Sequence, residues 1–187
     1  MKIFKNLLTT LLLLCSTMAF AENVVIDGIA YELDTTTLEA TITVGESKYK
    51  GDVVIPSVIV YNDATYNVTN IGAKAFYECS ELTKITIPNS VTNISARAFE
   101  NCVELTELEI PSSITNIGNY AFKGCVKLAN VTIPNSVENV GRSSFENCTG
   151  ITDIIIGSGV KTFIMGLSNN AKNLLMFIAL LQQCRMR

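Results

Sequence analysis

One amino-acid pattern recurs through the middle of this chain at a constant spacing. The prolines of three similar segments, ITIPNSVTNI, LEIPSSITNI and VTIPNSVENV, lie 23 residues apart at Pro88, Pro111 and Pro134. Phenylalanine and cysteine recur with the same period. Because several residue types share one period in the range of about 20 to 50 residues, the sequence predicts a solenoid of stacked repeats. The recurring positions are Phe76, Phe99, Phe122 and Phe145, with Cys79, Cys102, Cys125 and Cys148.

Each repeat contains a short segment in which apolar and polar residues alternate, as at Leu82, Ile85 and Ile87. This alternation predicts a strand with one buried face. The proline that follows cannot donate a hydrogen bond to a neighbouring strand, so strand pairing should end there. A second apolar pair, Val91 and Ile94, is followed by a connection that we expect to be irregular or briefly helical. A single coil cannot bury these residues alone, so adjacent coils should stack with parallel strands.

The motif IPNSVTNI, followed by Ala-Phe and then by cysteine, resembles the BspA-like class of leucine-rich repeats. Three copies match almost throughout, and a fourth, beginning at Ile151, fits as far as Val160. The resemblance implies a repeat solenoid, a leucine-rich-repeat-type stack of short parallel β-strands with irregular or short helical connections. The three full copies are 82–104, 105–127 and 128–150.

Two β-hairpins are predicted before the regular repeats. Asp27-Gly28 and Asn62-Asp63 each separate two apolar runs, and such residue pairs favour tight turns. The expected strands are 24–26 with 29–33, and 58–61 with 65–68, and a further strand is expected at 40–44.

We interpret residues 22–67 as a β-rich N-terminal cap and residues 68–170 as the repeat array. A terminal solenoid coil needs its open face covered, which is the physical reason for a cap. A separate functional domain at 22–67 is the alternative.

The first 21 residues have the pattern of a secretory signal peptide. Lys2 and Lys5 precede an apolar run that ends in Ala19-Phe20-Ala21, so cleavage is expected after Ala21. A lipid anchor at Cys15 is the alternative, although the preceding leucine disfavours it. No later apolar run reaches the length of about 18 residues that a membrane span needs, so none is expected in the mature chain.

The segment 171–187 departs from the repeat pattern, since it reads AKNLLMFIALLQQCRMR. It could form an amphipathic helix that covers the last coil. The alternative is a frameshift after about Leu174 in the gene, which would make the chain a truncated fragment of a longer surface protein.

The recurring cysteines are expected to be buried free thiols. Equivalent Cβ atoms in stacked coils lie about 5 Å apart, whereas a disulfide needs about 3.8 Å and a converging approach. A metal site is not expected, because the cysteines have neither a C-x-x-C spacing nor another donor nearby. Free thiols packing as small apolar groups remain the favoured interpretation.

The composition argues against an enzyme or a nucleic-acid-binding protein. The chain contains no histidine, which excludes Ser-His-Asp and Cys-His catalysis. Acid pairs among Glu104, Glu107 and Glu109 could serve acid–base chemistry, but we expect them to be solvated charges. The net charge of −3 offers no attraction for nucleic acid. We therefore expect no catalytic residue, no cofactor and no metal.

The remaining candidate site is a protein-binding face on the outer side of the strands. The resemblance implies a secreted or surface-exposed protein, since several similar proteins are linked to adhesion to host matrix proteins. We expect a protein-binding or adhesion module; the alternatives are the truncated fragment and an accessory domain of a surface enzyme. The candidate face consists of Lys84, Thr86, Glu107, Glu109, Asn130, Thr132, Asp153 and Ile155, expected to form one patch four strands wide.

Overall fold

A computed structural model describes residues 21–163 of the chain. These residues form fourteen β-strands joined by turns, and they contain no helix. The strands are β1 (Ala21–Ile26), β2 (Ile29–Asp34), β3 (Glu39–Ile42), β4 (Lys50–Val54), β5 (Val58–Tyr61), β6 (Ala64–Ile71), β7 (Glu81–Thr86), β8 (Asn93–Ile94), β9 (Glu107–Leu108), β10 (Asn116–Ile117), β11 (Asn130–Ile133), β12 (Asn139–Val140), β13 (Asp153–Ile156) and β14 (Thr162–Phe163).

One long sheet runs from the start of the described chain to its end. Its strand order is β1-β2-β3-β6-β8-β10-β12-β14, with β5 paired to the first half of β6. From β6 onward the strands are parallel and in register at 23-residue steps, so that Asn93 lies opposite Asn116 and Asn116 opposite Asn139. The stacked solenoid that the sequence predicts is thereby confirmed.

The strands that precede the prolines form a second layer, which is divided into two sheets. The first sheet has the order β4-β7-β9, and the second pairs β11 with β13. All of these pairs are parallel. The first strand of this layer, β4, lies before the hairpin of β5 and β6, so coil stacking begins inside the segment 22–67. The expected domain boundaries themselves stay predictions.

Both predicted hairpins are confirmed. Asp27 and Gly28 have φ angles of 50° and 79°, and Asn62 and Asp63 have φ angles of 49° and 60°. Two successive positive φ values match the right-handed twist of the flanking strands, which explains why these residue types occupy the turns. Strand β6 continues to Ile71, further than expected, because its second half pairs with β3 and β8.

The connections between the strand layers stack as a third hydrogen-bonded layer. The N–H of Phe76 donates to the carbonyl of Ala98 at 2.8 Å, and the N–H of Phe99 donates to Ala121 at 2.7 Å. These connections are irregular turns, so the irregular alternative of the sequence analysis is correct. Two positions in each turn have positive φ: Lys74, Arg97, Tyr120 and Ser143 at one, and Glu78, Asn101, Gly124 and Asn147 at the other.

The recurring phenylalanines form a continuous column in the core. The ring centroids of Phe76, Phe99, Phe122 and Phe145 follow one another at 4.9, 5.2 and 5.3 Å, with ring planes within 11° of parallel. Tyr49 begins the column, with its ring 4.8 Å from that of Phe76. The column confirms that each coil contributes the same apolar side chain to the same place in the core.

The recurring cysteines line the core beside this column as buried free thiols, as expected. The thiol of Cys102 donates to the carbonyl of Phe76 at 3.1 Å, and the thiol of Cys125 donates to that of Phe99 at 3.2 Å. Each thiol therefore bonds to the backbone of the preceding coil instead of to another cysteine.

Some expectations fall outside the part of the chain that the structure describes. The predicted signal peptide, except for Ala21, and the tail at 171–187 belong to this group, as do Cys15 and Cys184. Within residues 21–163, the chain has no helix of the length and hydropathy needed to cross a bilayer.

Candidate functional site

The candidate face is built by the alternation of side chains along the second strand layer. The side chains of Ile85, Leu108, Val131 and Ile154 point into the core and are buried. The eight predicted face residues lie between them and are all exposed: Lys84, Thr86, Glu107, Glu109, Asn130, Thr132, Asp153 and Ile155. The structure thus places every one of these residues on the outer side of the strands.

An ion pair joins the first two coils of this face. The ammonium of Lys84 lies 3.0 Å from the carboxylate of Glu107, its direct partner in the β7–β9 register. The hydrogen bond to Glu107, with the charge of that carboxylate, raises the pKa of Lys84 above its ordinary value. Because both side chains are largely exposed, this pair guides the register of the coils more than it stabilises them.

The face is not the single patch of four hydrogen-bonded strands that we expected. Strands β9 and β11 are neighbours, but no strand pairing joins them in the described residues. A groove of about 500 Å³ opens at this break and is bordered by Lys84, Glu107, Glu109 and Asn130. The face is therefore two sheets separated by a groove.

Sequence analysis missed a fifth strand of this face. Strand β4 pairs with β7, which places Asp52 opposite Lys84 and Val54 opposite Thr86. Both residues are exposed, Val54 to 67%. The signal was present in the sequence, because aligning Pro56 with Pro88 gives the same correspondence.

The acidic residues of this region do not form a catalytic pair. Glu104 binds Lys127 at 2.6 Å, whereas Glu107 binds Lys84. Each carboxylate thus has its own lysine partner. In the described part of the chain, no group of three or more His, Cys, Asp or Glu side chains could hold a metal ion.

Comparison with known proteins relates this repeat stack to a family. The repeat described as "BspA type Leucine rich repeat region" matches residues 55–174 with six copies, which is more than half of the chain. The chain belongs to the BspA type leucine-rich repeat family. The three-layer coils described above are therefore the form that the BspA type repeat takes in this sequence.

Solved structures of other leucine-rich repeat proteins have the same fold. A leucine-rich repeat protein from Bacteroides ovatus aligns with a TM-score of 0.61 and 28% identity, over 78% of this chain and 44% of its own. A leucine rich cell surface protein from Faecalibacterium prausnitzii aligns with a TM-score of 0.59 and 26% identity, over 74% of this chain and 44% of its own.

A shorter protein, a leucine-rich repeat protein from Bacteroides capillosus, aligns with a TM-score of 0.63 and 28% identity, over 72% of this chain and 97% of its own. The BspA type chain described here thus spans less than half the length of the first two structures and nearly the whole length of the third. No functionally curated protein matches it.

Proposed function

We propose that this chain is a secreted or cell-surface protein-binding module, with adhesion to host or extracellular proteins as its role. The observation that carries the proposal is the strand face, where exposed side chains stand in regular rows above a buried core. Repeat solenoids bind partners through extended faces of this kind. The proposed module is non-enzymatic, and it needs no cofactor.

Two observations support a location outside the cell. Residues 1–21 have the pattern of a signal peptide, and the similar protein from Faecalibacterium prausnitzii is described as a cell surface protein. We expect the exported chain to begin at Glu22.

The chemistry of the face favours a basic partner that also presents apolar groups. Asp52, Glu107, Glu109 and Asp153 outnumber the cations on the outer rows, and Lys84 already pairs with Glu107. Val54 and Ile155, at opposite ends of the face, are exposed to 67% and 64%. A complementary surface would place lysine or arginine against the carboxylates and apolar side chains at the ends.

The face is small, so the affinity of one copy should be modest. We expect a dissociation constant in the micromolar range, which corresponds to about −8 kcal/mol. Firm adhesion would then require several copies displayed together on a surface.

The test measures binding of the chain from Glu22 onward to immobilised, purified extracellular-matrix proteins by biolayer interferometry. The variant Glu109→Lys with Asp153→Lys reverses two face carboxylates that form no ion pair in the described residues. Binding should weaken while the melting temperature stays unchanged, because both side chains are exposed.

The matched control is Glu32→Lys with Glu39→Lys, which makes the same change of charge on exposed positions of the cap. It should leave binding unchanged. Lys123→Glu on the turn layer is a poorer control, because Lys123 pairs with Glu146 at 3.2 Å. Equal losses of binding in the two double variants would contradict the assignment of the strand face.

A further inference from the structure

The interface between the coils 105–127 and 128–150 is closed on two layers and open on the third. On the long sheet, β10 pairs with β12, and in the turn layer the N–H of Phe122 donates to the carbonyl of Ser144 at 2.8 Å. On the strand face, the structure of residues 21–163 records no backbone hydrogen bond between β9 and β11. The two coils therefore diverge at the groove.

One missing hydrogen bond locates the opening. At the preceding interface the N–H of Thr106 donates to the carbonyl of Thr83 at 3.2 Å, and at the following interface Thr152 donates to Ala129 at 2.9 Å. The equivalent bond between them would join the N–H of Ala129 to the carbonyl of Thr106, and it is not formed. Both residues are exposed, so a backbone donor and a backbone acceptor are left free beside the groove.

The side chains explain why this interface opens. The hydroxyl of Thr106 also donates to the carbonyl of Thr83 at 3.4 Å, whereas Ala129, at the equivalent position one coil later, has no hydroxyl. The ion pair of Lys84 with Glu107 joins the preceding rung, but the partner of Glu107 on the open side is the uncharged Asn130. The open interface thus lacks two contacts that its predecessor has.

We propose that this open rung is a binding cleft for an extended peptide segment that carries a basic side chain. The inference rests on the proposed protein-binding function and specifies its ligand. A free N–H and a free C=O in neighbouring strands are the groups with which an extended peptide backbone pairs. The volume of about 500 Å³ lies within the range of about 300–1,000 Å³ that is usual for ligand sites.

The charges at the groove select the basic side chain. The carboxylate of Glu109 borders the groove and has no ion-pair partner in the described part of the chain. Glu107 stands beside it and shares its charge with Lys84 alone. A lysine or arginine of the ligand would complete a charge-assisted hydrogen bond to Glu109.

The test titrates the chain from Glu22 onward with two synthetic peptides, acetyl-Gly-Val-Lys-Val-Gly-amide and the same peptide with glutamate in place of lysine, and follows backbone amide NMR shifts. The lysine peptide should shift the amides of 106–109 and 129–131, and the glutamate peptide should not. Equal shifts with both peptides, shifts confined to the long sheet, or no shift at about millimolar peptide would each overturn the cleft.

Two variants test the role of the open rung. Ala129→Thr supplies the missing hydroxyl, so it should slow hydrogen exchange of its own amide and weaken the lysine peptide at least about fivefold. Glu109→Gln should weaken the same peptide by a similar factor, because it removes the carboxylate charge. The matched control Thr152→Ala, at the closed interface, should leave peptide affinity unchanged. Unchanged affinity in both Ala129→Thr and Glu109→Gln would refute the proposal.

The outcomes separate this inference from the proposed function. If matrix proteins bind the strand face while neither peptide binds, the cleft is refuted and the protein-binding function stands. If the lysine peptide binds the groove while no matrix protein binds, the cleft stands and the adhesion role is refuted.

Discussion

The ammonium of Lys48 donates to the backbone carbonyl of Tyr77 and also lies 5.4 Å from the centroid of the Tyr77 ring. In each later coil the equivalent carbonyl, at Glu100, Lys123 or Glu146, accepts a backbone N–H from the preceding coil at 2.7 to 2.8 Å. In the described residues no backbone N–H reaches the carbonyl of Tyr77. A lysine side chain of the cap therefore completes the first rung of the turn layer.

Replacing Lys48 should lower the free energy of unfolding. Lys48→Met removes a charge-assisted hydrogen bond and a cation–π contact but keeps most of the side-chain volume, so we expect a loss of about 1 kcal/mol. Urea unfolding measures it. The control is Lys50→Met, which breaks an exposed ion pair with Glu81 and should cost less than about 0.5 kcal/mol. An equal cost for the two would contradict a capping role for Lys48.

The phenylalanine column should account for a large share of core stability. Phe122 is fully buried between Phe99 and Phe145, so Phe122→Ala should lower the free energy of unfolding by about 3–5 kcal/mol. Thr132→Ala, on the exposed face of the next coil, should cost less than about 0.5 kcal/mol. Similar shifts of the melting temperature in the two variants would disprove the register of the repeats.

One substitution should stabilise the chain by relieving backbone strain. Glu78 has a φ of 57° at a turn position where the next three coils carry Asn101, Gly124 and Asn147. Asparagine and glycine tolerate this left-handed conformation better than glutamate does. We expect Glu78→Asn to raise the free energy of unfolding by about 0.5–1 kcal/mol. The reciprocal variant, Asn147→Glu, should lower it, and a gain in both variants would show that strain is not the cause.

The buried thiols should make the stability fall at alkaline pH. Burial raises the pKa of Cys79 and Cys102, and a hydrogen bond with Cys148, together with burial, raises that of Cys125. An unfolded thiol ionises at about pH 8.5, so above that pH the unfolded state binds fewer protons than the folded state. The stabilising contribution is therefore complete below about pH 8 and is lost as the pH rises.

Urea unfolding between about pH 7.5 and about pH 9.5 measures this loss. The variant Cys125→Ala removes one titrating thiol, so its stability should fall less steeply, by up to about 1.4 kcal/mol per pH unit. The range stops below the titration of Tyr31, whose pKa burial raises to about 12. A stability independent of pH over this range would contradict thiol burial.

Much of the fold could be predicted because like residues stack on like residues. A fixed period of 23 residues places Phe122 directly beside Phe99, and the alternation of apolar residues decides which side chains point inward. The hairpin at Asp27-Gly28 was equally predictable, because its conformation depends on the two turn residues themselves.

The turn layer could not be predicted in the same way. Its hydrogen bonds join backbone groups, such as the N–H of Phe99 and the carbonyl of Ala121, that every residue possesses. No periodicity of side chains reports them. The capping role of Lys48 was hidden for the same reason, since its partner is a carbonyl 29 residues away.

The sequence by itself determined the period, the inward and outward faces and all eight residues of the candidate site, because these follow from strand alternation within each coil. Tertiary structure alone decided that β9 and β11 separate. The spacing of two coils on one face depends on the contacts of every layer at once, and at Thr106 and Ala129 the contacts of the other two layers are kept while the strand hydrogen bond is lost. The groove that carries the proposed peptide site is a product of that competition.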